Sequence, residues 1–149
     1  MSVTTATCNQ AKKDLFDGVH DSGDAYKCLL LKVGQTWAFD KNQTGVGTPG
    51  SGSPSNSNVG TDEVAAGGGY TAGGVAITRQ AVSAADTTNL DFDDAVWAAS
   101  TISAVGCIVY NDTKSGKPCL LVQSFGGTVT SMAAEFRVTI ANLLTMSGS

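Results

Sequence analysis

The stretch GGGYTAGGVAIT, residues 67–78, has the spacing that most resembles a phosphate site. Gly67, Gly69 and Ala72 satisfy the relaxed pattern G-x-G-x-x-G/A, in which backbone amides at the start of a helix bind a pyrophosphate. That pattern needs a strand before it and a helix after it. Here a polar loop precedes it, and VAITRQAV follows with the alternation of a strand. The glycines therefore predict a backbone bend that enters a β-strand, and no nucleotide cofactor is expected.

The single histidine, His20, stands beside Asp21 at the end of a predicted helix. Such a pair could orient a nucleophilic Ser or Cys, but the sequence supplies no third member of a triad. A histidine at a helix end also complements the helix dipole. The favoured interpretation is therefore a helix-terminal or surface histidine without a catalytic role.

Three acidic residues, Asp91, Asp93 and Asp94, could bind Ca²⁺ if they lay on a loop. Their alternation with Leu90 and Phe92 instead favours the solvent face of a strand that runs into a turn. No pair of carboxylates is marked out for acid–base work either. The sequence thus predicts no metal site, no cofactor and no enzyme.

Four cysteines are spread along the chain, and none forms a C-x-x-C pair or has a histidine nearby. Zinc is therefore not expected. No secretory signal is visible, so we expect folding in a cytoplasm, where the cysteines stay reduced. Three of them lie in apolar strands, where a thiol acts as a small hydrophobic group. The four are Cys8, Cys28, Cys107 and Cys119.

The composition limits both the size of the fold and its partners. With 149 residues the chain predicts a single domain over 1–149. Its net charge of −4 and scattered basic residues argue against a nucleic-acid partner, because phosphate binding needs clustered Lys and Arg. No apolar run approaches the length of a membrane span, so no membrane partner is expected.

The order of elements predicts a mainly all-β protein. A short amphipathic helix is expected over about 5–19, and a flexible Gly/Ser/Pro-rich loop on the outside over about 42–62. Seven or eight short strands follow the helix, with residues 102–112 as the candidate centre of the sheet and a turn at Gly126–Gly127. We therefore predict one antiparallel β-sandwich, with immunoglobulin-like or jelly-roll connectivity.

Several of these segments, in this order, resemble a group of small structural proteins of tailed bacteriophages. The resemblance runs from about residue 6 to residue 144. It is most specific in YTAGG at 70–74, DFDDAVW at 91–97 and AVGCIVYND at 104–112. The longer Gly/Ser/Pro loop at 45–60 departs from the shorter connection of that group. The resemblance implies a backbone bend with an anchoring tyrosine, made by Gly67, Gly69, Tyr70, Gly73 and Gly74.

The resemblance also implies a function in the virion, made in the cytoplasm of a bacterial host. The first hypothesis is a capsid decoration or cement protein that binds the outside of the head. Its partners would be the major capsid protein or neighbouring virion proteins, and a homo-oligomer is expected. The helix and the long loop are the candidate attachment segments. The possible interface residues are Leu15, Phe16, Trp37, Val46 and Val59.

Two other functions stay open at this stage. One is a structural protein of the tail, neck or fibre, with the same fold in lower copy number. The other is a carbohydrate- or receptor-binding module, in which exposed Trp37 or Trp97 would stack on sugar rings. A hydrolase is disfavoured because no catalytic constellation is visible.

Overall fold

The protein is mainly β. The computed structural model describes residues 5–82, 84–140 and 144–147. Strands predominate among these residues, which confirms the predicted all-β class with one short N-terminal helix. The elements are β1 (Thr5–Thr7), α1 (Asn9–Phe16), β2 (Tyr26–Leu31), a 3-10 turn (Gly60–Asp62), β3 (Val75–Ile77), β4 (Thr87–Leu90), β5 (Ala95–Ser100), β6 (Ser103–Asn111), β7 (Cys119–Thr130), β8 (Ala134–Val138) and β9 (Leu144–Ser147).

The main sheet has five antiparallel strands in the order β1-β7-β6-β2-β3. β6 lies at its centre, as its long apolar run predicts. In β2 the four consecutive residues 28–31 are all fully buried. Successive side chains of a strand point to opposite faces, so this run shows that the sheet is covered on both sides.

Two small antiparallel sheets, β4–β9 and β5–β8, complete the sandwich. Aromatic side chains join them to the main sheet. Phe136 of β8 lies 6.3 Å from Phe125 of β7, between ring centroids. Tyr26 of β2 meets Phe92, just after β4, edge to face at 5.1 Å. Offset and edge contacts of this kind favour aromatic packing beyond the area that they bury.

The helix is shorter than the predicted 5–19. Thr5–Thr7 form an edge strand against β7 instead, and Cys8, not a threonine, occupies the N-cap position. The helix ends at Phe16 because Gly18 adopts a left-handed φ of 68°. The Val19 N–H then donates to the Asp14 carbonyl at 2.9 Å, a common way to end a helix.

The predicted flexible loop 42–62 is packed against the sandwich. The Val46 N–H donates to the Lys117 carbonyl at 3.0 Å, and the Val59 N–H donates to the Val46 carbonyl at 3.0 Å. Both valine side chains are fully buried. Trp37 is also buried, and its Nε1 donates to the Ser55 carbonyl at 3.0 Å. These three predicted interface residues therefore belong to the core, because the loop folds back and covers apolar surface.

The predicted turn at Gly126–Gly127 lies inside β7 and is a bulge. Ala104 pairs with Val129 and Gly106 pairs with Ser124, so β7 carries three extra residues between these two pairs. Gly126 adopts the φ of 77° that this distortion needs. The chain turns only after Thr130, before β8.

Candidate functional site

The glycines of the bend let backbone segments approach each other closely. A Cβ on Gly74 would lie 1.9 Å from the Cys28 carbonyl oxygen, and one on Gly69 would lie 2.5 Å from the Ala99 carbonyl oxygen. Amides of the stretch are also engaged within the protein: Gly67 and Tyr70 exchange two hydrogen bonds of 2.9 Å. The glycines thus allow the backbone of the bend to pack closely against β2 and β5.

Tyr70 and Glu63 form a buried polar pair beneath the bend. The Tyr70 hydroxyl donates to Glu63 Oε1 at 2.7 Å and accepts from the Leu30 N–H at 3.1 Å. The Gly73 N–H donates to the same Oε1 at 2.5 Å. Burial raises the pKa of Glu63, and the two hydrogen bonds partly offset that rise. The Glu63 carboxyl is a structural acceptor, because it is closed off from solvent and holds the bend to β2.

Tyr70 also anchors the bend through its ring. It stacks on Trp97 with ring centroids 5.9 Å apart and an interplanar angle of 27°. Trp97 in turn meets Phe136 edge to face at 5.9 Å. Trp97 is only 5% exposed and Trp37 only 3%. The alternative of a sugar platform needs exposed tryptophans, whereas both of these rings pack inside the core.

His20 is buried in a polar cluster that joins the segment after α1 to the β6–β7 hairpin. Its Nδ1 lies 3.1 Å from Asn111 Nδ2, and its Nε2 lies 3.6 Å from an Asp14 carboxylate oxygen. Burial lowers the pKa of His20, although Asp14 and Asp24 oppose that shift. The predicted neighbour Asp21 instead accepts from the Gly23 N–H. Nδ1 thus faces Asn111 and Nε2 faces Asp14, so that His20 is part of a structural polar cluster.

The acidic residues at 91–94 have separate partners. Asp93 accepts from Gln80, and Asp94 forms an ion pair of 3.1 Å with Arg137. Asp91 accepts from the following backbone N–H at 2.8 Å. In the described part of the chain, no three His, Cys, Asp or Glu side chains converge as metal ligands do. The carboxylates therefore support local structure.

All four cysteines are buried and free. Cys28 lies on β2 and Cys107 on β6, both within the main sheet. Cys8 and Cys119 meet at the edge of that sheet, with their sulfur atoms 2.7 Å apart. Burial raises the pKa of the Cys119 thiol. Fully buried thiols of this kind contribute to packing, and they are poor nucleophiles while the fold is closed.

A cluster of apolar side chains is exposed on the surface of the described residues. Phe16, the last residue of α1, is 88% exposed, Val82 is 44% exposed and Met146 is 56% exposed. With half-buried Leu15 and the buried Leu90 they line a groove of about 200 Å³ between the end of α1 and the β4–β9 sheet. We call these five residues the helix-end patch. Apolar side chains gathered in this way are typical of a binding surface.

Sequence reasoning finds only part of this patch. Leu15 and Phe16 are among the predicted interface residues, whereas Val82, Leu90 and Met146 are not. These come from distant segments, and no local pattern shows that they meet the end of α1. A large apolar residue at the end of a helix was the one available signal.

No family model, curated protein or solved structure matches this chain. Among the described residues, no helix has the length and apolar character needed to cross a membrane.

Proposed function

We propose that this protein is a structural component of a tailed-bacteriophage virion, a capsid decoration protein that binds the outside of the head. The observation that carries the proposal is the helix-end patch, an exposed apolar groove on a sandwich whose polar clusters serve internal contacts. The resemblance of the segments at 70–74, 91–97 and 104–112 to small phage virion proteins supports the same function.

The helix-end patch is the attachment surface in this proposal. Its groove is lined mainly by apolar side chains, with Arg79 also in the lining. It suits an apolar side chain of the major capsid protein or of a neighbouring virion protein, because burial of such an anchor in a pocket dominates the energy of many interfaces. Phe16 is the most exposed side chain of the patch, so it supplies the largest single share of the area that attachment would remove from water.

A single small patch gives modest affinity, and a symmetric shell can compensate for this. Many equivalent copies bind the same lattice, and a homo-oligomer would present several patches at once. Once one patch of such an oligomer is bound, the next patch binds the shell at a high effective concentration. Weak individual contacts then give durable attachment without a large interface for each copy.

The second candidate is a structural protein of the tail, neck or fibre. It would use the same patch, so copy number separates it from the first candidate. A carbohydrate-binding function has less support, because Trp37 and Trp97 are buried in the core.

The deciding experiment is a cryo-EM reconstruction of intact virions of the phage that encodes this chain. Many copies on the outer shell, with the end of α1 at the contact, are the expected result. Density restricted to the neck, tail or fibres would reject decoration in favour of the second candidate. Absence of the chain from purified virions, checked by mass spectrometry, would reject both.

A rebinding assay then tests the attachment surface. Virions that lack the protein are incubated with the wild-type chain, with Phe16→Ser and with Val33→Ser. Val33 is a matched control, because it is 53% exposed and lies outside the helix-end patch. We expect Phe16→Ser to weaken binding at least tenfold and Val33→Ser to leave it unchanged. Equal binding by all three proteins would contradict the role of the patch.

A further inference from the structure

Cys8 and Cys119 meet where the N-terminal segment joins the main sheet. Cys8 follows β1 and precedes α1, and its N–H donates to the Leu120 carbonyl at 2.8 Å, which extends the β1–β7 ladder. Cys119 is the first residue of β7. The two sulfur atoms are 2.7 Å apart, close to the ~2.0 Å of a disulfide bond. Two side chains from positions 111 apart in sequence are thus brought almost to bonding distance.

We propose that Cys8 and Cys119 are an oxidisable pair, and that their disulfide locks β1 and α1 onto the main sheet. This inference goes beyond the proposed function and does not depend on it. It also agrees with a protein that folds in a reducing cytoplasm with free thiols and is oxidised only after release from the cell.

The other two cysteines provide an internal comparison. Cys28 pairs with Val109 and Cys107 pairs with Leu30, so the two thiols lie diagonally across β2 and β6. Both strands are hydrogen bonded on both sides within the sheet. β2 lies between β6 and β3, and β6 lies between β7 and β2. The two thiols interact with each other, but strands in the interior of a sheet have little freedom to adjust to the geometry of a disulfide bond. Cys28 and Cys107 should therefore stay reduced while Cys8 and Cys119 react.

Access for an oxidant comes from the edge position of β1. Within the described residues this strand spans Thr5–Thr7 and pairs with one neighbour, β7, so it can open locally at low cost. Opening exposes Cys8, which is fully buried in the closed fold. The reaction should therefore be slow in the native protein and faster under conditions that loosen the N-terminal segment.

Hydrogen peroxide is a sufficient oxidant. The Cys8 thiolate attacks one peroxide oxygen, the O–O bond breaks, and the departing hydroxide takes up a proton to become water. When β1 closes again, the Cys119 sulfur attacks the Cys8 sulfenic acid. The S–S bond forms as the S–O bond breaks, and a second water leaves with the proton of Cys119. Two thiols and one peroxide give one disulfide and two waters.

The disulfide would close a loop of about 110 residues, and a cross-link of that length strongly restricts the unfolded chain. On this basis we expect the melting temperature to rise by about 10 °C on oxidation, and to fall back when a reductant is added. The increase measures how much the disulfide stabilises the folded protein relative to the unfolded chain.

The experiment treats the purified full chain with hydrogen peroxide, blocks the remaining thiols by alkylation, and maps the cross-link by mass spectrometry of unreduced peptides. The expected result is a loss of two hydrogen masses, a single Cys8–Cys119 peptide pair, and alkylation only at Cys28 and Cys107. Cys28→Ala should behave like the wild type, and Cys119→Ala should lose both the cross-link and the thermal shift.

Peptide mapping of the wild-type protein needs no variant, so it decides the matter even if Cys119→Ala does not fold. Three results would overturn the proposal: a cross-link between Cys28 and Cys107, oxidation of Cys8 to a sulfinic acid without a cross-link, or four unreacted thiols after prolonged oxidation in mild denaturant. A Cys8–Cys119 cross-link without a thermal shift would overturn the locking role.

Discussion

The glycine-rich bend at 67–74 and the helix-end patch each present an aromatic residue, but in opposite environments. Tyr70 of the bend is 3% exposed, stacks on Trp97, and hydrogen bonds to both Leu30 and Glu63. Phe16 of the patch is 88% exposed. The first residue is committed to the stability of the fold, whereas the second contributes little to it and is free to bind. Substitutions in the two regions should therefore affect different measurements.

The largest effect is expected from Gly74→Ala. The new Cβ would lie 1.9 Å from the Cys28 carbonyl oxygen, and a φ of 80° is unfavourable for alanine. We expect a loss of about 4 kcal/mol or more in the free energy of unfolding, measured by urea denaturation. Gly127→Ala is the matched control, because a Cβ there meets nothing within 4 Å. A Gly74→Ala protein as stable as the control would show that the bend tolerates displacement from β2.

Tyr70→Phe should have the next largest effect. The ring still packs on Trp97, but the Leu30 N–H loses its acceptor and Glu63 loses a donor, all in a buried setting. We expect a loss of about 2 kcal/mol in the free energy of unfolding. Tyr26→Phe removes a hydroxyl that donates to a single carbonyl at a part-buried site. This variant should lose less free energy of unfolding than Tyr70→Phe. If the two variants lose equal stability, the buried pair has no special role.

A smaller effect, dependent on pH, is expected from Glu63→Gln. Because burial raises the pKa of Glu63, the folded protein holds this proton more tightly than the unfolded chain does. The resulting stability is fully present below the unfolded pKa of about 4.5 and is lost as pH rises through the folded pKa. Glu63→Gln cannot ionise, so its stability relative to the wild type should increase from pH 4 to pH 8.

Denaturation curves at several pH values measure that difference. Glu135→Gln is the control, because it removes a carboxylate from an exposed position. Its difference from the wild type should change little over the same range. Parallel pH profiles for the wild type and Glu63→Gln would mean that burial does not raise the pKa of Glu63.

The smallest effect on stability is expected from Phe16→Ser. Its side chain contributes little to the core, so the free energy of unfolding should change by no more than about 0.5 kcal/mol. Urea denaturation measures the stability of this variant, and the rebinding assay measures its attachment to virions. A loss of several kcal/mol in the free energy of unfolding would show that Phe16 stabilises the fold as the bend residues do. The contrast between the two regions would then be wrong.

Short-range patterns in the chain were sufficient for the fold class and for the buried strands. The long apolar run at 102–112 predicts the central strand, and β6 does lie at the centre of the main sheet. The glycine spacing at 67–74 predicts a bend before Val75, where β3 begins. Such features depend on residues close together in sequence, so they can be predicted without knowledge of the tertiary structure.

Other features depend on contacts between distant segments. Val46 and Val59 enter the core because their loop hydrogen bonds to the β6–β7 turn and to itself, although its composition favours solvent. Thr5–Thr7 form a strand because β7 offers a free edge. The helix-end patch combines residues from α1, β4 and β9 with Val82. Burial of a side chain is set by what the rest of the chain packs against it, and local residue pattern carries no information about that partner.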